Sequence, residues 1–230
     1  MKSQIMMNKS ILIVLFFIVF TSCNETVKKE NIQVTETNRV VYLPYYNDES
    51  FTPHWLTPNT EEEKQFHKIP DFKLVDQLGD TLTQKYFENK IYITDFFFTS
   101  CPGICLKMTN NMTKVQEAFI HNPEVSILSH SVTPSIDSVS VLKTYADKNG
   151  IIDSKWHLVT GDKTEIYNLG RNQYFVENDL GIPKDITDFL HTENFLLIDK
   201  NKHIRGIYNG LNRASIAQLI TDAEALLKEI

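Results

Sequence analysis

The sequence predicts an α/β domain built on a central mixed sheet flanked by helices. Three observations predict it. Runs of strand length recur along the chain, helical stripes separate the middle ones, and a hairpin pattern stands at each end.

The elements follow in order. Phe72-Lys73-Leu74-Val75 and Asp80-Thr81-Leu82 flank a turn at Gly79 and read as an N-terminal hairpin. Ile91 to Phe98 reads as a buried strand. Behind it, Ile104, Met108, Met112, Val115 and Phe119 recur every three or four residues, one face of a helix closed by His121-Asn122-Pro123. On that face the two methionines are expected to pack in the core rather than bind metal. Val125 to Val132 is a second strand, ended by Thr133-Pro134, and Ile136, Val139, Leu142 and Tyr145 form the next helical stripe. Trp156 to Val159 is a third strand, with a turn at Gly161-Asp162 and a short helix through Leu169. Tyr174 to Leu190 has no clear period. Asn194 to Ile198 and His203 to Tyr208 form a hairpin around Asp199-Lys200-Asn201, and a last helix carries Ile216, Leu219, Ile220, Ala223, Leu227 and Ile230.

The chain has 230 residues, 42% of them hydrophobic, enough for one domain with a sizeable core. Net charge is −6 with no basic stripe, so nucleic acid is not an expected partner. Lys2 and Lys9 precede the apolar run Ile11 to Phe20, which has the length of an export signal rather than of a membrane span. Small residues then lead to Cys23 in Phe20-Thr21-Ser22-Cys23, a string that resembles a bacterial lipobox. We therefore expect residues 1–22 to be a lipoprotein signal peptide and Cys23 to carry lipid. Residues 23–40, polar and charged, read as a flexible tether. Residues 41–70, with several prolines and aromatics, read as an extended arm packed on a domain spanning 71–230.

If Cys23 carries lipid, an even pair of cysteines remains outside the cytoplasm, Cys101 and Cys105. They follow the strand Ile91 to Phe98 and open the next helix. A helix N-terminus favours thiolate, which is both a nucleophile and a soft metal ligand. A spacing of four puts both side chains on one helix face. The pair can therefore hold one metal ion, form a disulfide when oxidised, or clamp a loop. Three intervening residues, where the common oxidoreductase loop has two, favour metal. His191, just before the strand Asn194 to Ile198, is the candidate third ligand. Two thiolates and an imidazole suit copper, whereas structural zinc wants four ligands. His54, His67, His121, His130, His157 and His203 have no ligand spacing among themselves.

Taken together, Phe97-Phe98-Thr99-Ser100-Cys101-Pro102-Gly103-Ile104-Cys105, Ser131-Val132-Thr133-Pro134-Ser135-Ile136-Asp137, Trp156-His157-Leu158-Val159-Thr160-Gly161 and His191 before Phe195-Leu196-Leu197-Ile198-Asp199 resemble the Sco/SenC family of copper-handling, thioredoxin-like proteins. The hairpin Phe72 to Gly79 fits the same pattern, and the resemblance covers about residues 70 to 230. It implies a thioredoxin-like fold, with copper held by Cys101, Cys105 and His191. It also implies copper delivery to the dinuclear copper A site of cytochrome c oxidase subunit II, or to another exported cuproprotein. The protein would work in the bacterial cell envelope, lipid-anchored to a membrane and facing the periplasm or the exterior. A second class of function is thiol-disulfide oxidoreductase, in which Cys101 attacks and Cys105 resolves; a redox or copper sensor is a third. Because a disulfide removes both sulfur ligands, a separate thiol reductant is expected as a partner. The chain departs from many relatives at Gly103 (often acidic), Leu106 (often proline) and Thr133 (usually Asp). None of these departures removes a ligand.

Overall fold

The computed structural model describes residues 42–177, 190 and 192–229. Cys23, His191, Ile230 and most of the segment from Tyr174 to Leu190 lie outside the described residues, as do residues 1–41. Seven strands form one sheet: β1 (Lys73–Asp76), β2 (Thr81–Thr83), β3 (Ile91–Phe97), β4 (Val125–Ser131), β5 (Trp156–Thr160), β6 (Asn194–Ile198) and β7 (Ile204–Asn209). Their order is β2-β1-β5-β4-β3-β6-β7. Strands β3, β4 and β5 run parallel, and the two hairpins join them antiparallel, β1 on β5 and β6 on β3. The sheet is mixed, as the order of hairpins and helical stripes requires. The helices among the described residues are α1 (Glu61–Gln65), α2 (Ile104–Phe119), α3 (Val139–Lys148), α4 (Lys163–Asn168) and α5 (Arg213–Leu226).

Strand β3 is buried along its whole length because both sheet faces are covered. Its odd residues Ile91, Ile93 and Phe97 pack with Met108, Met112 and Val115 of α2, Leu142 of α3 and Leu219 of α5. Its even residues Tyr92 and Phe96 face the opposite layer, with Ile166 of α4, Leu74 of β1 and Tyr174. Met108 and Met112 are thus core residues, 1% and 0% exposed.

Some local details differ from the sequence expectation. Phe98 lies beyond the end of β3. Ile136 is not part of the stripe of α3 but is 57% exposed, in the loop before it. The helix starts after Ser138, whose hydroxyl accepts the N–H of Val141 and caps the first turn. A 3-10 turn at Gln84–Phe87 and a π turn at Leu169–Gln173 carry no periodic signal and were not expected.

The segment before β1 is tied down by pairing and charge. Tyr45 exchanges backbone hydrogen bonds with His54, and Tyr46 donates to Ile204 at the start of edge strand β7. Arg205 of β7 is 2% exposed and donates to the carbonyls of Leu43 and Pro44. It also pairs with Asp199 at 3.1 Å and Glu229 at 2.8 Å, while its guanidinium lies over the Tyr45 ring. Glu63 of α1 meets His203 at 2.7 Å.

Candidate metal centre

Parallel pairing brings the C-terminal ends of β3 and β4 to one edge of the sheet. The loop from β3 into α2 carries Cys101, and the loop from β4 into α3 comes up beside it. Gly103 caps α2 without a side chain, and Cys105 sits in the first helical turn. Both cysteines are free thiols; Cys105 is buried and Cys101 half-buried.

The two sulfurs differ in electrostatics. The N–H of Cys105 donates to the Cys101 sulfur at 3.3 Å. Burial acts to raise the Cys101 thiol, but hydrogen bonds from the Cys105 thiol and from the N–H groups of Gly103, Cys105 and Ile104 outweigh it. The Cys101 pKa is therefore lowered. Burial, and then donation to Cys101, push Cys105 the other way. The geometry thus makes Cys101 the more acidic of the two thiols and Cys105 its donor.

Both cysteines open into a cavity of about 280 Å³, walled by Phe96, Phe98, Ile104 and Val132 and completed by Leu190 and Thr192. Among the described residues no charged side chain lines it. A low-polarity wall around soft sulfur suits a soft ion or a sulfur-centred exchange better than a hydrated, oxygen-seeking cation.

The turn before Cys101 is held from the neighbouring loop. Asp137, fully buried, accepts the Thr99 N–H at 3.2 Å and the Thr99 hydroxyl. The hydroxyls of Ser131 and Thr133 also donate to it, at 2.6 and 3.0 Å. In the sequence Asp137 stands only as the last residue of the family-like string Ser131 to Asp137. Its partner Thr99 lies 38 residues away, so nothing local announced its role.

Four of the remaining histidines have other partners. His130 stacks on Phe96 and meets the Thr94 hydroxyl, and His157 pairs with Asp76. His203 pairs with Glu63, and His67 meets the carbonyl of Gln173. Among the described residues no three His, Cys, Asp or Glu side chains gather as a metal site.

A thioredoxin-like sheet with a two-cysteine turn at the start of a long helix defines the class. Residues 60–228 match the SCO1/SenC family, and the chain belongs to it. A SCO1/SenC family lipoprotein from Bacillus anthracis str. Ames has 27% sequence identity and a TM-score of 0.61, over 70% of this chain and 96% of that one. BsSco, described with a disulfide switch and as a member of the Sco family of cytochrome c oxidase assembly proteins, has 23% identity and a TM-score of 0.60 over 71% and 95% of the two chains. Arabidopsis thaliana ScoI, crystallised with copper bound, shares the fold at 20% identity and a TM-score of 0.53, over 67% and 97%. Among the described residues no helix is long and apolar enough to cross a membrane.

Proposed function

We propose that the protein is a copper chaperone of the bacterial cell envelope that takes part in cytochrome c oxidase assembly. Cys101, Cys105 and His191 hold one copper ion and pass it to the copper A site of subunit II, or to another exported cuproprotein. One observation carries this reading. The thiol pair opens into a cavity whose wall is completed by Leu190 and Thr192, the two sequence neighbours of His191. Two sulfurs and an imidazole form the soft, low-coordinate donor set that copper accepts. Family membership supports the same cargo, as does a copper-bound structure of the same fold. Copper titration of the reduced protein tests the assignment. Wild type should bind one ion per chain, and His191→Ala should bind more weakly with an altered copper absorption spectrum. Undiminished affinity and an unchanged spectrum in His191→Ala would remove the histidine from the site.

The protein is held at a membrane through lipid on Cys23, after removal of residues 1–22, with residues 23–40 as tether. The lipoprotein relative from Bacillus anthracis supports this placement. Cys23→Ser should release the protein into the soluble fraction; unchanged fractionation and migration would refute the anchor.

A second reading, disulfide reduction, is favoured by the asymmetry of the two thiols. Cys101 thiolate would attack a partner disulfide and release one partner thiol. Cys105 would then attack the Cys101 sulfur, release the second, and leave a Cys101–Cys105 disulfide for a thiol reductant to reopen. The same asymmetry also serves metal loading, so the histidine separates the two activities.

A further inference from the structure

We infer that Asp137 is a positioning residue for the thiol pair: through Thr99, it fixes the turn that sets Cys101 against the first amides of α2. The inference rests on the thiol site proposed above.

Asp137 is 0% exposed and comes from the loop after β4, a different element from the one that carries the cysteines. A buried carboxylate is costly unless its oxygens are fully engaged. Here they are, by the Thr99 N–H and by the hydroxyls of Thr99, Ser131 and Thr133. All these groups donate, and an ionised carboxylate is the one small side chain that only accepts. An amide of the same shape would turn an NH₂ group toward donors.

Two of the contacts come from Thr99, two residues before Cys101, and one of them is to its backbone. The carboxylate therefore grips the chain itself. Downstream, Gly103 provides no side-chain cap, and an added side chain there would meet nothing within 4 Å. The turn is thus held by side-chain bonds on its strand side and has no side-chain cap on its helix side. Charge-assisted hydrogen bonds are about twice as strong as neutral ones. Releasing this grip lets the turn drift, and the Cys101 sulfur moves away from the Cys105 N–H that it meets at 3.3 Å.

The test compares three variants of the reduced full-length protein by iodoacetamide alkylation of Cys101 at neutral pH, thiolate ultraviolet absorbance, copper affinity and thermal unfolding. Asp137→Asn should slow alkylation about tenfold and weaken copper binding similarly, because a displaced sulfur loses its donors. Thr99→Val removes one of the two Thr99 contacts and should slow alkylation about threefold. Gln77→Ala is a control for general destabilisation. Gln77 makes buried hydrogen bonds to Trp156 and Leu158 in the β1–β2 turn, away from the cysteines. That variant should unfold earlier with alkylation unchanged.

Wild-type alkylation and absorbance in a folded Asp137→Asn would overturn the inference. So would a Gln77→Ala that slows alkylation as much. If Asp137→Asn does not fold, Thr99→Val decides, and a wild-type rate there overturns it. The thiol readouts need no copper. Slowed alkylation in a protein that never bound copper would uphold Asp137 and sink the copper reading. Unchanged alkylation with copper bound normally would do the reverse.

Discussion

The two ends of the sheet solve opposite problems. At the N-terminal end of β3, charge is buried and fully partnered. Arg205 holds two carboxylates, two carbonyls and an aromatic face, and Glu63 holds His203. At the C-terminal end of β3, the cavity wall carries no charged side chain among the described residues, and the thiols of Cys101 and Cys105 face it. The difference teaches where rigidity and exchange belong. Saturated ion pairs fix the segment before β1 to the domain and leave nothing to trade. Among the described residues, the apolar wall around the thiols leaves a cavity that a visiting ion or sulfur can enter.

The largest effect should come from breaking the charged end. Arg205→Ala strands Asp199 and Glu229 and frees the backbone of Leu43 and Pro44. We expect a loss of about 3–5 kcal/mol, the usual result of removing one member of a buried ion pair. Urea denaturation measures it. Cys101→Ser at the other end should change stability by less than about 1 kcal/mol. Equal losses would erase the contrast.

The next effect sharpens the comparison in the middle of the sheet, where a titratable ring has no charged partner among the described residues. Burial pushes the pKa of His130 down to about 3, opposed only in part by the Asp95 carbonyl. Unfolded, the ring takes up its proton near 6.5. The neutral ring's contribution to stability is therefore complete above about pH 6.5 and is lost progressively as pH falls toward 3. His130→Leu lacks that loss. The stability difference between wild type and His130→Leu should shift against wild type between about pH 7 and pH 4. A constant difference across that range would mean the ring is not held neutral.

The smallest effect concerns the exposed rim of the thiol end. Ile136, 57% exposed, should tolerate Ile136→Ser within about 0.5 kcal/mol, read as an unfolding temperature close to wild type. A larger loss would mean the rim is part of the core.

Much of the fold was legible because strands β3, β4 and β5 are runs bounded by turn residues and α2 has a clean apolar stripe. The start of α3 was misread because Ile136 fell on the right spacing. The cap Ser138 was the better signal, since a hydroxyl that satisfies a free N–H decides where a helix begins. The thiols were legible as a pair, being local in sequence. Their asymmetry, with Cys101 the attacking sulfur, came only from the family resemblance; its cause, the hydrogen bonds that reach the Cys101 sulfur and the burial of Cys105, depends on the folded turn. Asp137 and Arg205 were beyond local reading. Arg205 binds Leu43, 162 residues away, and only the folded topology brings the two together.

The sheet's margins have a consequence for life in a crowd. An open edge strand is a template on which a second molecule can zip. One margin here is β2, only three residues long. The other, β7, has its first residue already taken by Tyr46, and the Arg205 beside it is drawn into the Leu43 and Pro44 backbone. Among the described residues, β2 is thus too short for a long ladder, and the ladder of β7 is interrupted at its start. A short margin and a partly occupied one lower the tendency of neighbouring copies to pair their sheets edge to edge.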